Sequence, residues 1–251
     1  MARFNWEHVH LRSPDPEATA QWYQDKLGAD VIRIAGNYDD SVHHAKRVAA
    51  EEGWLLISDT SDVASDEVAA EVLQGYGIMG LELIDQFNGR PPTHVFLQAG
   101  VGGLAAAIAG CFAEIAAAGR PQIVVVEPEV AACVMQNAIQ GPARVTGDLA
   151  TNMAMLSCGE TSAPAWVILS RRADAFMTIS DEAADDAAAW LGSTPDIPGG
   201  LPTTASGAAG LAGLITAAED IRIAARLGLG QNSHVLIFAT ETADRENCAG
   251  S

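Results

Sequence analysis

Short apolar runs rich in β-branched residues alternate with longer alanine-rich stretches, and this alternation restricts the fold more than any other feature. The candidate strands are 31–34 (VIRI), 54–57 (WLLI), 94–97 (HVFL), 122–126 (QIVVV), 175–179 (AFMTI) and 234–238 (HVLIF). Candidate helices lie at about 40–52, 66–88, 103–119, 129–139, 181–191 and 206–227. Apolar strands separated by helices are typical of βαβ units around a parallel sheet buried on both faces. The sequence therefore predicts an α/β fold, with a mostly parallel sheet flanked by helices.

The charge balance argues against two classes of partner. The 251 residues include 32 acidic and 14 basic side chains, for a net charge of −18, and no stretch concentrates arginine and lysine. Binding along nucleic-acid phosphates or anionic lipids depends on such a basic surface. The most apolar segment, residues 100–113, is interrupted by Glu114 and is too short to cross a bilayer. We therefore expect neither nucleic acid nor a membrane as a partner.

The cysteines and the N-terminus both indicate a cytoplasmic protein. Cys111, Cys133, Cys158 and Cys248 form neither a CxxC pair nor a dense disulfide framework, so reduced thiols are expected. The opening residues, MARFNWEHVH, lack the charged start and apolar run of a secretory signal. We therefore expect a cytoplasmic location.

The first thirty residues differ in character from the rest. NWEHVHLRSPDPEATAQWYQDKLG predicts a strand, then a helix with Pro and Glu in its first turn that ends at Gly28. This segment resembles the start of the vicinal-oxygen-chelate superfamily, which includes glyoxalases and extradiol dioxygenases. The resemblance places a metal ligand at His8, with His10 on the same strand face. The later strands that would supply further ligands are not found, so no metal site is predicted.

A glycine-dense turn follows the candidate strand at 94–97. In HVFLQAGVGGLAAAIAG, Gly100, Gly102 and Gly103 precede a predicted helix. Backbone N–H groups of such a turn converge at a helix N-terminus, where the helix dipole favours an anion such as phosphate. A tight turn that only allows close packing would show the same pattern, so both interpretations stay open. The pattern is not the dinucleotide fingerprint, because the third spaced glycine is missing.

Two later strands end in polar residues. VVVEPE (124–129) closes with an acid and a proline that opens a helix, and SHVLIFATETA (233–243) presents Thr240 near its carboxyl end. A hydroxyl there, beside a phosphate loop of the same sheet, could hydrogen-bond a heteroaromatic ring nitrogen without charging it.

Taken in order, these segments resemble the fold type II pyridoxal-phosphate enzymes, and within them the diaminopropionate ammonia-lyase group. The resemblance covers roughly residues 27–251. It rests on strings that include GADVIRIAGNYDDSV, GWLLISDTS, VLQGYGIMGLE, PTHVFLQAGVGGLAAAIAG, VVVEPE, TNMAMLSCGETSAPAW, LSRRADAFMTISDEA, TASGAAGLAGL and VLIFATET. It implies the fold of the tryptophan synthase β-like group and pyridoxal 5′-phosphate as cofactor.

The resemblance also assigns site residues. The QAGVG turn of the family cradles the cofactor phosphate, and this role falls on Gly100, Val101, Gly102 and Gly103. The threonine of the terminal strand bonds the pyridine nitrogen, which implicates Thr240 in ATET, where the family more often has STEG. The aspartate of the DT dipeptide after the GW strand takes part in acid–base chemistry, which implicates Asp59. From the residues alone, Asp59 could equally be an ordinary turn or helix-cap acid.

One family element has no counterpart in these 251 residues. The resembled enzymes hold the cofactor as a Schiff base on a lysine of an early segment. Here the two lysines, Lys26 in QDKLG and Lys46 in HHAKRVAAEE, are both predicted to be solvated surface residues. We therefore divide the chain into a glyoxalase-like fragment at 1–30 and the C-terminal part of a lyase domain at 31–251, with a sheet incomplete at its N-terminal side.

The resemblance implies elimination of ammonia from 2,3-diaminopropionate to give pyruvate, with a small amino acid as substrate and a homodimer as the assembly. Because neither lysine is placed for the Schiff base, the chain alone is expected to be inactive or impaired. Threonine- and serine-type dehydratases have related loops, so the substrate stays open. The alternatives are a metal-dependent vicinal-oxygen-chelate protein that uses His8, and a non-catalytic subunit or fragment.

Overall fold

The computed structural model describes residues 15–87, 89–115, 119–195 and 197–243. Within these ranges four strands form one parallel sheet in the order β3-β2-β1-β4. The strands are β1 (His94–Gln98), β2 (Gln122–Pro128), β3 (Ala175–Ile179) and β4 (Val235–Ile237). Phe96 of β1 lies opposite Val124 of β2 and Ile237 of β4, and Val126 lies opposite Met177 of β3. The predicted parallel α/β architecture is confirmed.

Helices connect and flank these strands in the described part of the chain. They are α1 (Pro16–Leu27), α2 (Tyr38–Glu52), α3 (Glu67–Gln86), α4 (Gly103–Ile115), α5 (Cys133–Gln140), α6 (Ala163–Arg172), α7 (Asp181–Ser193), α8 (Ala205–Glu219) and α9 (Ile221–Leu227), with a short 3₁₀ turn at Ala154–Leu156. No helix in these ranges has the length and hydropathy needed to cross a membrane.

Local sequence explains where several helices begin. Asp66, Ser180 and Thr204 each accept a backbone N–H of the first turn of α3, α7 and α8. Asn37 and Asp40 form a reciprocal capping box at the start of α2. These caps satisfy amide groups that have no partner inside a helix, so the starts are encoded by a few adjacent residues.

The sheet is covered on both faces. Val95, Leu97, Ile123 and Val125 point to one face, where they pack with α3, α4 and α6. Phe96, Val124 and Val126 point to the other face, against α7, α8 and α9. Because successive side chains alternate between faces, a strand buried on both sides is apolar along most of its length, with polar residues only near its ends. This is why the central strands appear in the sequence as apolar runs.

Helix α8 lies unusually close to the sheet. A Cβ atom at Gly210 would lie 3.0 Å from the Phe96 carbonyl oxygen, and one at Gly213 would lie 2.6 Å from a Val126 methyl group. The glycines in ASGAAGLAGL therefore allow a helix–sheet approach that a larger residue would prevent.

Two strand predictions are wrong. Residues 31–34 and 54–57 have no regular secondary structure and form no ladder with any strand in the described ranges. Their side chains are largely exposed, at 61% for Ile32 and 62% for Leu55. An apolar run of this kind favours a strand. A strand also needs a neighbouring strand to bind its backbone N–H and C=O groups, and the tertiary arrangement decides whether one is present.

Two helix predictions also need correction. The stretch at 206–227 is two helices, because Asp220 leaves the helical conformation and caps the first turn of α9. Helix α6 was missed, although Pro164 in its first turn is a helix-start signal. The predicted helix ending at Gly28 is confirmed as α1, with Gly28 in the left-handed conformation.

Candidate active site

The glycine turn joins β1 to α4 at the carboxyl edge of the sheet. Gly102 has a φ of +96°, which side chains rarely tolerate, and a Cβ there would lie 3.1 Å from a Leu169 methyl group. Among the described residues, the backbone N–H groups of Gly102 and Gly103 have no hydrogen-bond acceptor. Free N–H groups at the N-terminus of a 13-residue helix are suited to an anion.

The first half of this turn is packed against the segment around Cys158. A Cβ at Gly100 would lie 3.0 Å from the Cys158 sulfur and 3.1 Å from the Met155 carbonyl oxygen. Val101 is buried, and its carbonyl accepts the Ser162 N–H at 2.9 Å. Both interpretations of the turn are therefore supported: it packs tightly, and it leaves amides open at the helix end.

Thr240 lies just after β4, beside the end of β1. Gln98, the last residue of β1, is buried, and its Nε2 donates to the Phe238 carbonyl at 3.0 Å and to the Thr240 hydroxyl oxygen at 3.2 Å. Thr240 itself is exposed. Gln98 was missed by the sequence analysis, although a glutamine closing a buried apolar strand is a usable signal for a polar role.

Asp59 is half-buried and accepts a hydrogen bond from a tyrosine. The Tyr38 hydroxyl donates to Asp59 Oδ1 at 3.0 Å. Burial, and then the negative charge of Asp59, raise the pKa of Tyr38 far above its usual range, so the phenol remains a proton donor. Burial and Asp59 also raise the pKa of Tyr76. Neither tyrosine was singled out from the sequence, although both lie in the strings NYDD and QGYG.

Residues 60–62, which follow Asp59, line one small cavity together with Val101 of the glycine turn. A Cβ at Gly103 would lie 3.6 Å from the Tyr76 ring, which interacts with Asp59. The backbone also connects the two segments. Ala163 N–H donates to the Ser61 carbonyl at 2.7 Å, and Ser162 N–H donates to the Val101 carbonyl. The start of α6 therefore holds the Asp59 loop and the glycine turn in one arrangement.

Comparison with known proteins identifies the family. A family model described as pyridoxal-phosphate dependent enzyme matches residues 15–240. The chain belongs to the pyridoxal-phosphate-dependent enzymes. The match begins at residue 15, so α1 lies within this family's span; our assignment of residues 1–30 to a glyoxalase-like start has no support from the comparisons.

Within the family, the chain is similar to diaminopropionate ammonia-lyases. The chain is 37% identical over 229 residues to the diaminopropionate ammonia-lyase of Salmonella typhimurium, with 85% of this chain and 55% of that protein covered. It is 32% identical over 238 residues to the corresponding protein of Escherichia coli K12, with 90% and 59% covered. The chain thus spans between half and two thirds of the length of these relatives.

The fold comparison agrees. The Escherichia coli diaminopropionate ammonia lyase, in complex with an aminoacrylate-PLP azomethine reaction intermediate, has a TM-score of 0.77 and 30% identity, covering 92% of this chain and 62% of that chain. A threonine deaminase from T.th. has a TM-score of 0.70 at 24% identity, covering 92% and 68%, and shows only the shared fold.

The described residues fit the family's cofactor. The glycine turn offers free N–H groups for a phosphate, and a side chain at Gly102 would be blocked. Thr240 offers an exposed hydroxyl whose oxygen already accepts a bond from Gln98. A neutral hydroxyl is chemically suited to a pyridine nitrogen.

The two lysines differ in their surroundings. Lys26 is exposed in the last turn of α1, as predicted. Lys46 is 28% exposed, and its Nζ pairs with the exposed Asp62 at 2.7 Å, so it lies at the surface in an ion pair. It lines a small cavity of about 30 Å³ together with Tyr38 and Val101. The pairing with Lys46 lowers the pKa of Asp62.

The described residues provide neither a metal-binding cluster nor a reactive thiol. Within the described ranges, no group of three or more His, Cys, Asp or Glu side chains is placed to hold a metal ion. His8 and His10 lie outside those ranges. Cys111, Cys133 and Cys158 are free thiols, and burial raises the pKa of each. Their sulfurs therefore stay protonated and weakly nucleophilic. Cys248 lies outside the described residues as well.

Proposed function

We propose that the protein is a pyridoxal-phosphate-dependent ammonia-lyase that eliminates ammonia from an α,β-diamino acid such as 2,3-diaminopropionate and yields pyruvate. The observation that carries this proposal is the half-buried Asp59 carboxylate, which accepts from Tyr38 and belongs to a segment joined through the start of α6 to the glycine turn. The 37% identity to a diaminopropionate ammonia-lyase supports the substrate class.

Two sets of groups would hold the cofactor. The amides of the turn formed by Gly100, Val101, Gly102 and Gly103 would bind its phosphate, and Thr240 would meet its ring nitrogen. Pyridoxal phosphate, when bound, supplies a sink for the electrons left at the substrate Cα. A neutral partner for the ring nitrogen limits that sink, and this favours loss of a β-substituent over transamination.

Asp59 would move or hold a proton at the substrate. Tyr38 donates to Oδ1 and stabilises the carboxylate, while Oδ2 is left for the substrate. This oxygen can accept a proton from Cα or bind the departing amino group. The raised pKa of Tyr38 keeps this donor in place across physiological pH.

The surroundings favour a substrate with an additional positive charge. An open cavity of about 720 Å³ adjoins Tyr38 and is also lined by Asp40 and Asp148. A diamino acid carries one more ammonium group than serine or threonine, and Asp148 at the cavity wall attracts it, whereas Asp40 already pairs with Arg144. This supports diaminopropionate over the hydroxy amino acids.

Relative rates test the substrate class and the role of Asp59. Pyruvate release is followed with lactate dehydrogenase at high protein concentration, with diaminopropionate, serine and threonine as substrates. We expect the highest rate with diaminopropionate, and a loss of about 100-fold or more in Asp59→Asn. Asp186→Asn, at an exposed position of α7, is the matched control and should retain the rate. Equal rates on serine would contradict the substrate class, and full activity in Asp59→Asn would contradict the role of Asp59.

We also propose that neither lysine of the 251 residues bonds the cofactor, so that the chain alone has an impaired but measurable rate of pyruvate release. Lys26 is exposed on α1, and Lys46 is held by Asp62. Borohydride reduction in the presence of pyridoxal phosphate, followed by peptide mass mapping, tests this. Specific labelling of Lys46, lost in Lys46→Arg together with pyruvate release, would refute it; Lys26→Arg is the control.

A homodimer is the proposed assembly. Helix α3 exposes apolar side chains, with Ile78 at 59% and Leu81 at 60%, and such a surface supports a contact between copies. Light scattering of the purified protein should give twice the chain mass. A monomer at micromolar concentration would contradict the proposal.

A further inference from the structure

Gln98 is a buried amide that connects two strand ends of the candidate site. Its Nε2 donates to the Phe238 carbonyl oxygen at 3.0 Å and to Thr240 Oγ1 at 3.2 Å. Its Oε1 is buried and has no hydrogen-bond partner among the described residues. A buried amide that uses only its nitrogen indicates that the nitrogen side determines how the group is oriented.

The Phe238 carbonyl fixes the orientation of this amide. A backbone carbonyl can only accept hydrogen bonds, so the amide group 3.0 Å from it must be the NH₂. The reverse orientation would place two acceptor oxygens against each other. The same NH₂ then faces Thr240, which must act as the acceptor in that contact.

The direction of the Thr240 hydroxyl follows. Its oxygen accepts from Gln98, so its own proton points away from Gln98 and is available to another acceptor. Thr240 is exposed, and it therefore presents a donor rather than an acceptor to a ligand at this strand end. A pyridine nitrogen that receives this proton in a hydrogen bond has no proton of its own.

We propose that Gln98 is a positioning residue that sets the direction of the Thr240 hydroxyl and so keeps the ring nitrogen of the bound cofactor unprotonated. This inference rests on the proposed function, because it takes pyridoxal phosphate as the ligand. It adds a specific role for a residue outside the glycine turn. It also explains why a glutamine with a buried, unpartnered oxygen lies at the end of β1.

The probe for the test is 4-deoxypyridoxine 5′-phosphate labelled with ¹⁵N in the ring. It has the phosphate and ring nitrogen of the cofactor but no aldehyde, so its binding needs no lysine. Titration of the full 251-residue chain gives the affinity. The ¹⁵N shift of the bound probe, followed from acid to alkaline pH, reports whether the ring nitrogen is protonated.

Three variants make the prediction specific. In Gln98→Met, which keeps the approximate shape but has no donor, we expect the bound ring nitrogen to protonate at a higher pH than in the wild type, with binding about 3- to 10-fold weaker. Gln98→Glu puts an oxygen in place of Nε2; its single proton must go to the Phe238 carbonyl, so toward Thr240 it can only accept. Thr240 should then donate to it, and the bound nitrogen should carry a proton at neutral pH. Gln140→Glu, at an exposed position of α5, is the control and should match the wild type.

The outcomes separate the two proposals. Probe binding with an unprotonated nitrogen in the wild type, and a shift toward protonation in either Gln98 variant, supports the inference. Binding with the same ¹⁵N titration in wild type and Gln98→Met overturns the inference and leaves the cofactor site standing. No binding by the wild type overturns the cofactor site, and the inference with it. If Gln98→Glu does not fold, as judged by circular dichroism, Gln98→Met decides.

Discussion

Replacing Glu127 with glutamine should change stability in opposite directions at acid and alkaline pH. Glu127 is fully buried at the carboxyl end of β2, and its two oxygens accept the N–H groups of Val134 and Met135 at 2.8 Å each. These bonds anchor the first turn of α5 to the sheet. Burial outweighs them and raises the pKa of Glu127 from 4.5 to about 8.

The sign of the effect follows from proton counts. Between about pH 4.5 and 8 the folded protein keeps a proton that the unfolded chain has lost, so the free energy of unfolding falls as pH rises through this interval. Each pH unit accounts for up to about 1.4 kcal/mol, and the whole interval gives a ceiling of about 5 kcal/mol. Glutamine removes this dependence, but its amide nitrogen cannot accept the second backbone N–H, which costs about 1–2 kcal/mol.

We therefore expect Glu127→Gln to be less stable than the wild type by about 1–2 kcal/mol at pH 5 and more stable by up to about 3 kcal/mol at pH 9. Urea unfolding followed by circular dichroism at one-unit pH steps gives the difference directly. Glu129→Gln is the matched control, since Glu129 is exposed two residues further on, and should show no such crossing. A difference between Glu127→Gln and the wild type that stays constant across the range would refute the reasoning.

Four further substitutions test the fold and the glycine turn. Gly102→Ala forces a side chain into a φ of +96° and should lower the free energy of unfolding by about 1–3 kcal/mol and weaken binding of the deoxypyridoxine phosphate probe; unchanged binding by calorimetry would argue against the phosphate role. Gly213→Ala places a Cβ 2.6 Å from a Val126 methyl group and should lower the free energy of unfolding in urea by about 1–3 kcal/mol. Gly75→Ala is the comparison: its Cβ would enter open space on α3, and it should raise the free energy of unfolding by about 0.5–1 kcal/mol. Phe96→Ala, fully buried in β1, should cost about 3–5 kcal/mol, and a loss below about 1 kcal/mol would contradict the core packing.

The strands of the central sheet could be predicted from the sequence because burial on both faces requires runs of apolar residues. Val95 and Phe96 point to opposite faces and both are fully buried, so the strand is apolar along most of its length. The exposed run at 31–34 is also apolar but has no ladder partner among the described strands. Composition cannot distinguish these two situations, because strand pairing depends on residues distant in the chain.

Part of the candidate site could also be predicted, because it depends on neighbouring residues. The glycine turn is a local motif, and its position after β1 is visible in consecutive residues. Tyr38 and Gln98 were missed because their roles depend on Asp59 and Thr240, which lie 21 and 142 residues away. The pairing of Lys46 with Asp62 joins different segments in the same way.

The sequence by itself determined the α/β class, the central parallel strands, most helix limits and the glycine turn, because each depends on local periodicity or on a few adjacent residues. Only the tertiary structure decided which apolar runs became strands, that Tyr38 donates to Asp59, and that Gln98 donates to Thr240. These features depend on contacts between distant segments. Packing fixes such contacts, and no local pattern encodes them.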